Sequence, residues 1–172
     1  MDNFILQNTA DILPITEVTT AGEGIGFLRI ADYSWRIKRL YPDSKLPTKA
    51  HSTDLGYDLY CVGQYTLMPG KITLLTTGIA CNFPPGFGGL IRDRSSIATQ
   101  RGVIVVAGVI DPEYIGEIKV ALLNTTQKTV MIDNREKIAQ LLLTPVVNAS
   151  SIKEVSELHK TIRGEKGFGS SD

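Results

Sequence analysis

The chain of 172 residues is long enough for one domain with a sizeable core and too short for two comfortable ones. Lys plus Arg number 18 and Asp plus Glu number 18, so the formal net charge is zero. That balance gives no sign of the basic surplus that general nucleic-acid or anionic-membrane binding calls for, and it leaves local basic groups free to serve a small anionic ligand.

Residues 1–33 hold two short apolar clusters, Phe4-Ile5-Leu6 and Gly26-Phe27-Leu28-Arg29-Ile30, around a threonine-rich stretch. They are expected to form an extension that packs outside the domain or is partly disordered. Gly22, Gly24 and Gly26 follow no strong strand and precede no helix, so they do not read as a phosphate loop. The first basic residue is Arg29, and no basic start precedes an apolar block, so no secretory signal is expected. The longest apolar run, 103–110, is far below the ~20 residues of a membrane-spanning helix, and the protein reads as soluble.

From Trp35 onward the pattern sharpens. Short strands are predicted at 35–40, 55–62, 71–83, 103–106, 117–123, 129–132 and 138–147, separated by turn signals such as Pro69-Gly70 and Pro84-Pro85-Gly86. Such a series predicts an all-β sandwich or barrel. Residues 95–101 break it: they open on Ser95 and Ser96 as hydroxyl caps, stop at Gly102, and predict the one notable helix. Residues 148–162 read as a last strand near Val155 or as a connector, and 163–172 are too glycine-rich and charged to form a core alone. Cys61 and Cys81 lie in apolar runs and read as small buried hydrophobes in a reducing setting, not as a disulfide framework.

Five stretches carry chemistry. The apolar runs on either side of Gly108-Val109-Ile110-Asp111-Pro112-Glu113-Tyr114 predict a β-hairpin whose turn holds Asp111 and Tyr114 rigidly. Arg92-Asp93-Arg94-Ser95-Ser96 sets arginine and hydroxyls at a predicted helix start, where unpaired N–H groups and partial positive charge favour an anion; a capped helix with a surface arginine has the same pattern. In the tail, Arg163 and Lys166 supply charge while Gly164, Gly167 and Gly169 expose N–H groups, and Phe168 suits stacking on a base or packing on its own domain. Gln140 interrupts an apolar strand and is an interior hydrogen-bonding group or a ligand contact, while Asp58, between Tyr57 and Leu59, is a turn-side acid or an indirect metal contact. The two histidines stand alone, so no zinc pattern forms. One acid, two anion cradles and an aromatic fit a small phosphorylated nucleotide.

In order, these segments resemble the five motifs of the homotrimeric dUTP pyrophosphatases (dUTPases). The first is Leu55-Gly56-Tyr57-Asp58-Leu59-Tyr60 and the second Arg94-Ser95-Ser96-Ile97-Ala98. The third runs from Gly108-Val109-Ile110-Asp111 through Tyr114, Gly116 and Glu117, and the fourth is Lys137-Ile138-Ala139-Gln140-Leu141. The fifth is Arg163-Gly164-Glu165-Lys166-Gly167-Phe168-Gly169-Ser170. The resemblance implies a distorted jelly-roll-like β domain over 34–162, a flexible tail over 163–172 that closes the site, and a homotrimer with no nucleic-acid or membrane partner. It assigns nothing to 1–33. It also implies hydrolysis of dUTP to dUMP and pyrophosphate with Mg2+, in the cytoplasm, or in the host cytoplasm or nucleus if the source is viral.

The same resemblance implies that Asp111 activates the attacking water and that Tyr114 packs on the deoxyribose. Backbone groups of Gly108, Val109, Ile110 and Lys119 would read the uracil edge. Arg94, Ser95, Ser96 and Gln140 would hold phosphates, Arg163, Phe168, Gly169 and Ser170 would close over the nucleotide, and Asp58 would position magnesium through water. Two departures stand out: Ser96 replaces a frequent glycine, and Arg135-Glu136-Lys137 replaces the common Gly-Asp-Arg, which implies a turn built differently. A dCTP deaminase of the same fold is the alternative enzyme, but its catalytic glutamate is matched here by Ala121. A nucleotide-responsive protein-binding scaffold is the alternative of another class.

Overall fold

The computed structural model describes residues 34–147, 152–162 and 164–165. The expected extension over 1–33, Arg163, Lys166 and the Phe168-Gly169-Ser170 run lie outside the described residues. The described part is a β domain with one short helix. In chain order its elements are β1 (Arg36–Arg39), β2 (Tyr57–Tyr60), β3 (Tyr65–Leu67), β4 (Ile72–Thr76), β5 (Ile79–Asn82) and β6 (Phe87–Arg92), then α1 (Ser95–Arg101), β7 (Val103–Val105), β8 (Val109–Ile110), β9 (Lys119–Asn124), β10 (Val130–Ile132) and β11 (Lys137–Pro145). The predicted all-β class holds. No helix among the described residues is long and apolar enough to cross a membrane.

Small antiparallel sheets enclose the core: β2-β11-β6-β8, β4-β9-β7, β1-β5 and β10-β3. Period-two alternation sets which faces turn inward. In β9, Val120, Leu122 and Asn124 are buried while Lys119, Ala121 and Leu123 turn outward. Leu59, Leu75, Ile118, Ile132, Ile138 and Leu141 complete a nearly solvent-free centre, each worth about 1.5–3 kcal/mol of burial. The buried Asn124 is satisfied, its amide donating to the carbonyls of Leu67 and Lys128. Cys61 and Cys81 are free thiols inside this core, and burial pushes both up from the ordinary thiol range.

Several boundaries differ from the sequence reading. The single run predicted at 71–83 divides at Gly78, whose φ of 67° breaks the strand in two; β4 then pairs with β9, and β5 with β1. Residues 152–162 form no strand and are exposed throughout, so this segment is a connector. The helix is not capped by hydroxyls: Arg94 occupies the N-cap position with no side-chain cap bond, and Ser95 is already helical. Arg135 has φ 65°, the left-handed region that favours glycine, and its N–H donates to Cys61 O at 3.0 Å.

The predicted hairpin is present but wider than a tight turn. β7 pairs with β9 (Val103↔Asn124, Val105↔Leu122), and between them β8 crosses to pair with β6 (Leu90↔Val109, Gly89↔Ile110). Gly108 makes that crossing possible: φ is 120°, and an added Cβ would lie 2.7 Å from the Ile91 carbonyl oxygen. Gly108→Ala is expected to cost about 1–3 kcal/mol and lower the melting temperature. Gly70→Ala is the control, since that residue has φ 66° with open space around it. Equal losses in the two variants would rule out the close approach as the cause.

Candidate active site

Three strands of the largest sheet set the floor of one cavity. Gln140 on β11 pairs with Asp58 on β2 and with Arg92 on β6, so the three residues stand in one row across the sheet. Ala139 and Leu141 are fully buried, which puts Gln140, between them, on the opposite face. Beyond Arg92 the chain turns through Asp93 and Arg94 into α1, which the buried Ile97 ties to the core. The helix ends at Gly102 with φ 61°, whose N–H donates to Ile97 O.

These elements enclose a cavity of about 620 Å³ lined by Asp58, Arg94, Ser95, Lys137 and Gln140, with Asp54 and Leu55 beside them. Gln140 Nε2 donates to the Asp93 carbonyl at 2.8 Å, fixing the amide. Gly56 leaves it room, because a Cβ there would meet Gln140 Oε1 at 2.4 Å. Asp58 is locked by backbone exchange with Thr48, donating N–H to Thr48 O at 2.7 Å. Its carboxylate is shared between two cations: Arg94 Nε lies 2.8 Å from Oδ1 and Lys137 Nζ 2.7 Å from Oδ2. The hydrogen bond to Asp58 raises the Lys137 pKa, so the ammonium stays charged. Asp54 is held low by the backbone N–H of His51.

Asp93 turns away from the other acids, its carboxylate accepting the Val105 N–H. The cavity therefore offers Arg94, Lys137 and Arg92 as cations, with hydroxyl and amide donors beside them. That chemistry suits a polyphosphate. Ser96 lines a neighbouring cavity that shares Arg94 and Lys137 with the first.

The hairpin residues lie elsewhere. Asp111 and Tyr114 are exposed; Tyr114 N–H donates to Asp111 O at 3.1 Å, and Tyr114 Oη donates to Glu117 O at 3.0 Å. Glu117 in turn accepts the Gly78 N–H at 3.0 Å, anchoring the root of the hairpin. Among the described strands β8 pairs with β6 alone, so one backbone edge of Val109 and Ile110 faces away from the sheet. Lys119 opens β9 with its backbone paired to Thr76. Asp111 follows the residue paired with Gly89, while Asp58 sits three strands away at the level of Arg92. At the spacings of a sheet that separation is roughly 15–20 Å. One chain thus brings Asp58, Arg94, Ser95 and Gln140 together and leaves Asp111 and Tyr114 apart from them.

The sequence reading missed Lys137 and Asp54 as cavity residues and named Arg92 only within the Arg92–Ser96 anion stretch. Charges at strand ends and in turns look like solvated groups; only the place of Lys137 within the fourth motif singled it out.

Residues 43–172 match the family model described as dUTPase. The chain belongs to the dUTPase family. A deoxyuridine 5'-triphosphate nucleotidohydrolase of Clostridium tetani is 39% identical over 144 residues, covering 83% of this chain and 99% of that protein. The Candida albicans protein of the same name is 43% identical over 132 residues, 76% of this chain and 82% of its own length. Among solved structures, the Staphylococcus bacteriophage 80alpha dUTPase with dUPNHPP superposes with a TM-score of 0.72 at 26% identity, over 81% of this chain and 98% of that one. A variant dUTPase from phage phi11 of S. aureus, whose structure describes a structural Mg(II) ion, shares the fold with a TM-score of 0.68 at 22% identity, over 74% of this chain and 99% of that one. As a member of this family the protein is a dUTP diphosphatase, a hydrolase of nucleotide metabolism that converts dUTP to dUMP.

Proposed function

We propose that Asp111 activates the water that attacks the α-phosphorus of dUTP, releasing pyrophosphate, in a site assembled from different copies of a homotrimer. The observation that carries this reading is the gap of roughly 15–20 Å between the polyphosphate cavity and Asp111 within one chain, when a general base must lie within hydrogen-bond reach of its water. A second copy supplies the missing half. Two surfaces support self-association. On the outer face of β4-β9-β7, Ile72 (62% exposed) and Leu74 (57%) stand beside Leu123, Ala121 and Ile104 in register. The exposed connector carries Ile152, Leu158 and Ile162 with no core of its own to join.

Arg94, Ser95, Ser96 and Gln140 hold phosphates, and the Gln140 amide is pre-set by Asp93. The outward backbone edge of Gly108, Val109 and Ile110, with Lys119 beyond, reads the uracil edge. The Tyr114 ring packs on the deoxyribose and leaves no room for a 2′-hydroxyl. Arg163 and the Phe168-Gly169-Ser170 run close over the nucleotide and expel water.

Mg2+ fits the donors present: it keeps several waters and takes one or two carboxylates beside substrate phosphates, and Asp58 and Asp54 line the same cavity. Asp58 would hold the ion through water, and the ion would supply positive charge against the phosphate oxygens.

A pyrophosphate-release screen over dUTP, UTP, dCTP and dTTP tests the specificity. The dUTP rate is expected to exceed the others by about 10²-fold or more. Comparable turnover of UTP would remove the sugar role of Tyr114, and ammonia release from dCTP would favour the deaminase reading.

A further inference from the structure

Lys137 opens β11 where its ladder with β2 shifts register between Lys137 and Ala139. In a regular strand Lys137 shares a face with Ala139 and Leu141, both fully buried. The irregularity takes the lysine off that face and lets its Nζ reach Asp58 Oδ2 at 2.7 Å. Such a bulge beside a site re-aims a side chain, here an ammonium into a cavity of phosphate-binding character. The Tyr60 ring lies 5.9 Å from Nζ and supports the cation without neutralising it.

Asp58 is a single negative charge facing two positive ones, Arg94 and Lys137, so the trio keeps a net positive charge and donors that Asp58 cannot use. The lysine side chain is 37% exposed and sits on a flexible stem, whereas Arg94 is a planar fork with less freedom. Both residues also line the neighbouring cavity of about 380 Å³, with Arg101, Glu136 and Gln100. They border both spaces, and the Lys137 side chain is not part of the buried core.

We propose that Lys137 is a triphosphate-binding residue of the dUTP reaction, which Asp58 holds in the free enzyme and the β- and γ-phosphates take over on binding. A polyphosphate carries more negative charge and more acceptor oxygens than one carboxylate, so it wins the ammonium from Asp58. This inference rests on the reading of Arg94, Ser95 and Gln140 as a phosphate cradle.

The test is calorimetric titration of the full chain with dUpNHpp and with dUMP, without metal and then with Mg2+. Lys137→Met is expected to weaken metal-free dUpNHpp binding about tenfold or more, with dUMP affinity within about twofold, because dUMP lacks the outer phosphates. Lys137→Arg keeps the charge and should restore most of the affinity. Asp58→Asn frees both cations and should move the metal-free affinity the other way, towards tighter binding. A purely structural role for Lys137 predicts equal losses for both ligands and a lower melting temperature, and that result would overturn the proposal. Arg94→Met separates the two levels. If it loses dUpNHpp affinity while Lys137→Met does not, the role of the lysine fails alone. If neither variant loses affinity, the cradle itself is misassigned.

Discussion

Asp111→Asn is expected to lower kcat by about 10²–10⁴-fold, the usual contribution of a positioned general base, while dUpNHpp affinity stays within a few-fold of the parent. Asn keeps the size and most hydrogen bonds of Asp but does not accept a proton from water near neutral pH. The separation of effects follows from where the residue sits. Asp111 is exposed on a loop held at both ends, by the β8–β6 pairing on one side and by Glu117 on the other. It supports no core contact, so the substitution leaves the fold alone. A fall in kcat with unchanged melting and unchanged analogue binding would mark a group that acts on the reacting water. Turnover within tenfold of the parent would exclude Asp111 as the base.

Truncation before Arg163 is the second large effect expected. It should remove most of the activity, on the order of 10²-fold, since closure that excludes water strengthens each electrostatic contact to the phosphates. It should leave cooperative unfolding intact. The reason is visible just upstream: Ile152, Leu158 and Ile162 are exposed, so the described domain has closed its core before this segment begins. Stopped-flow titration with dUpNHpp would show the loss as faster release of the analogue. A truncated chain with parental kcat/KM would reject the closing role.

Much of this was legible in the residues, for physical reasons that differ from place to place. Gln140 and Asp58 stood out because a polar group in an apolar strand needs a partner, and the structure supplies Asp93 for one and two cations for the other. β6 escaped notice because it follows the Pro84-Pro85-Gly86 turn signal and carries Gly88 and Gly89, which give no apolar alternation. Their real task is clearance, with added Cβ atoms meeting Ile110 O at 3.0 Å and Phe83 at 2.7 Å. β8 holds two residues, too few for any alternation to register. The capping hydroxyls were a local inference, overruled because Arg94 is drawn to Asp58 and the helix starts directly after it. Lys137 was hidden by the register shift between Lys137 and Ala139, which no periodicity reveals.

Division of the site between copies is the claim on which the rest depends, and mixing two inactive variants measures it most directly. Asp111→Asn chains keep an intact cavity, and Arg94→Met chains keep an intact acid. Unfolded together and refolded as mixed trimers, they should regain about a quarter of the parental sites, because each hybrid trimer rebuilds one site from two undamaged halves. Mixed trimers as inactive as either variant alone would place the cavity and the acid of each site on the same chain and contradict the account.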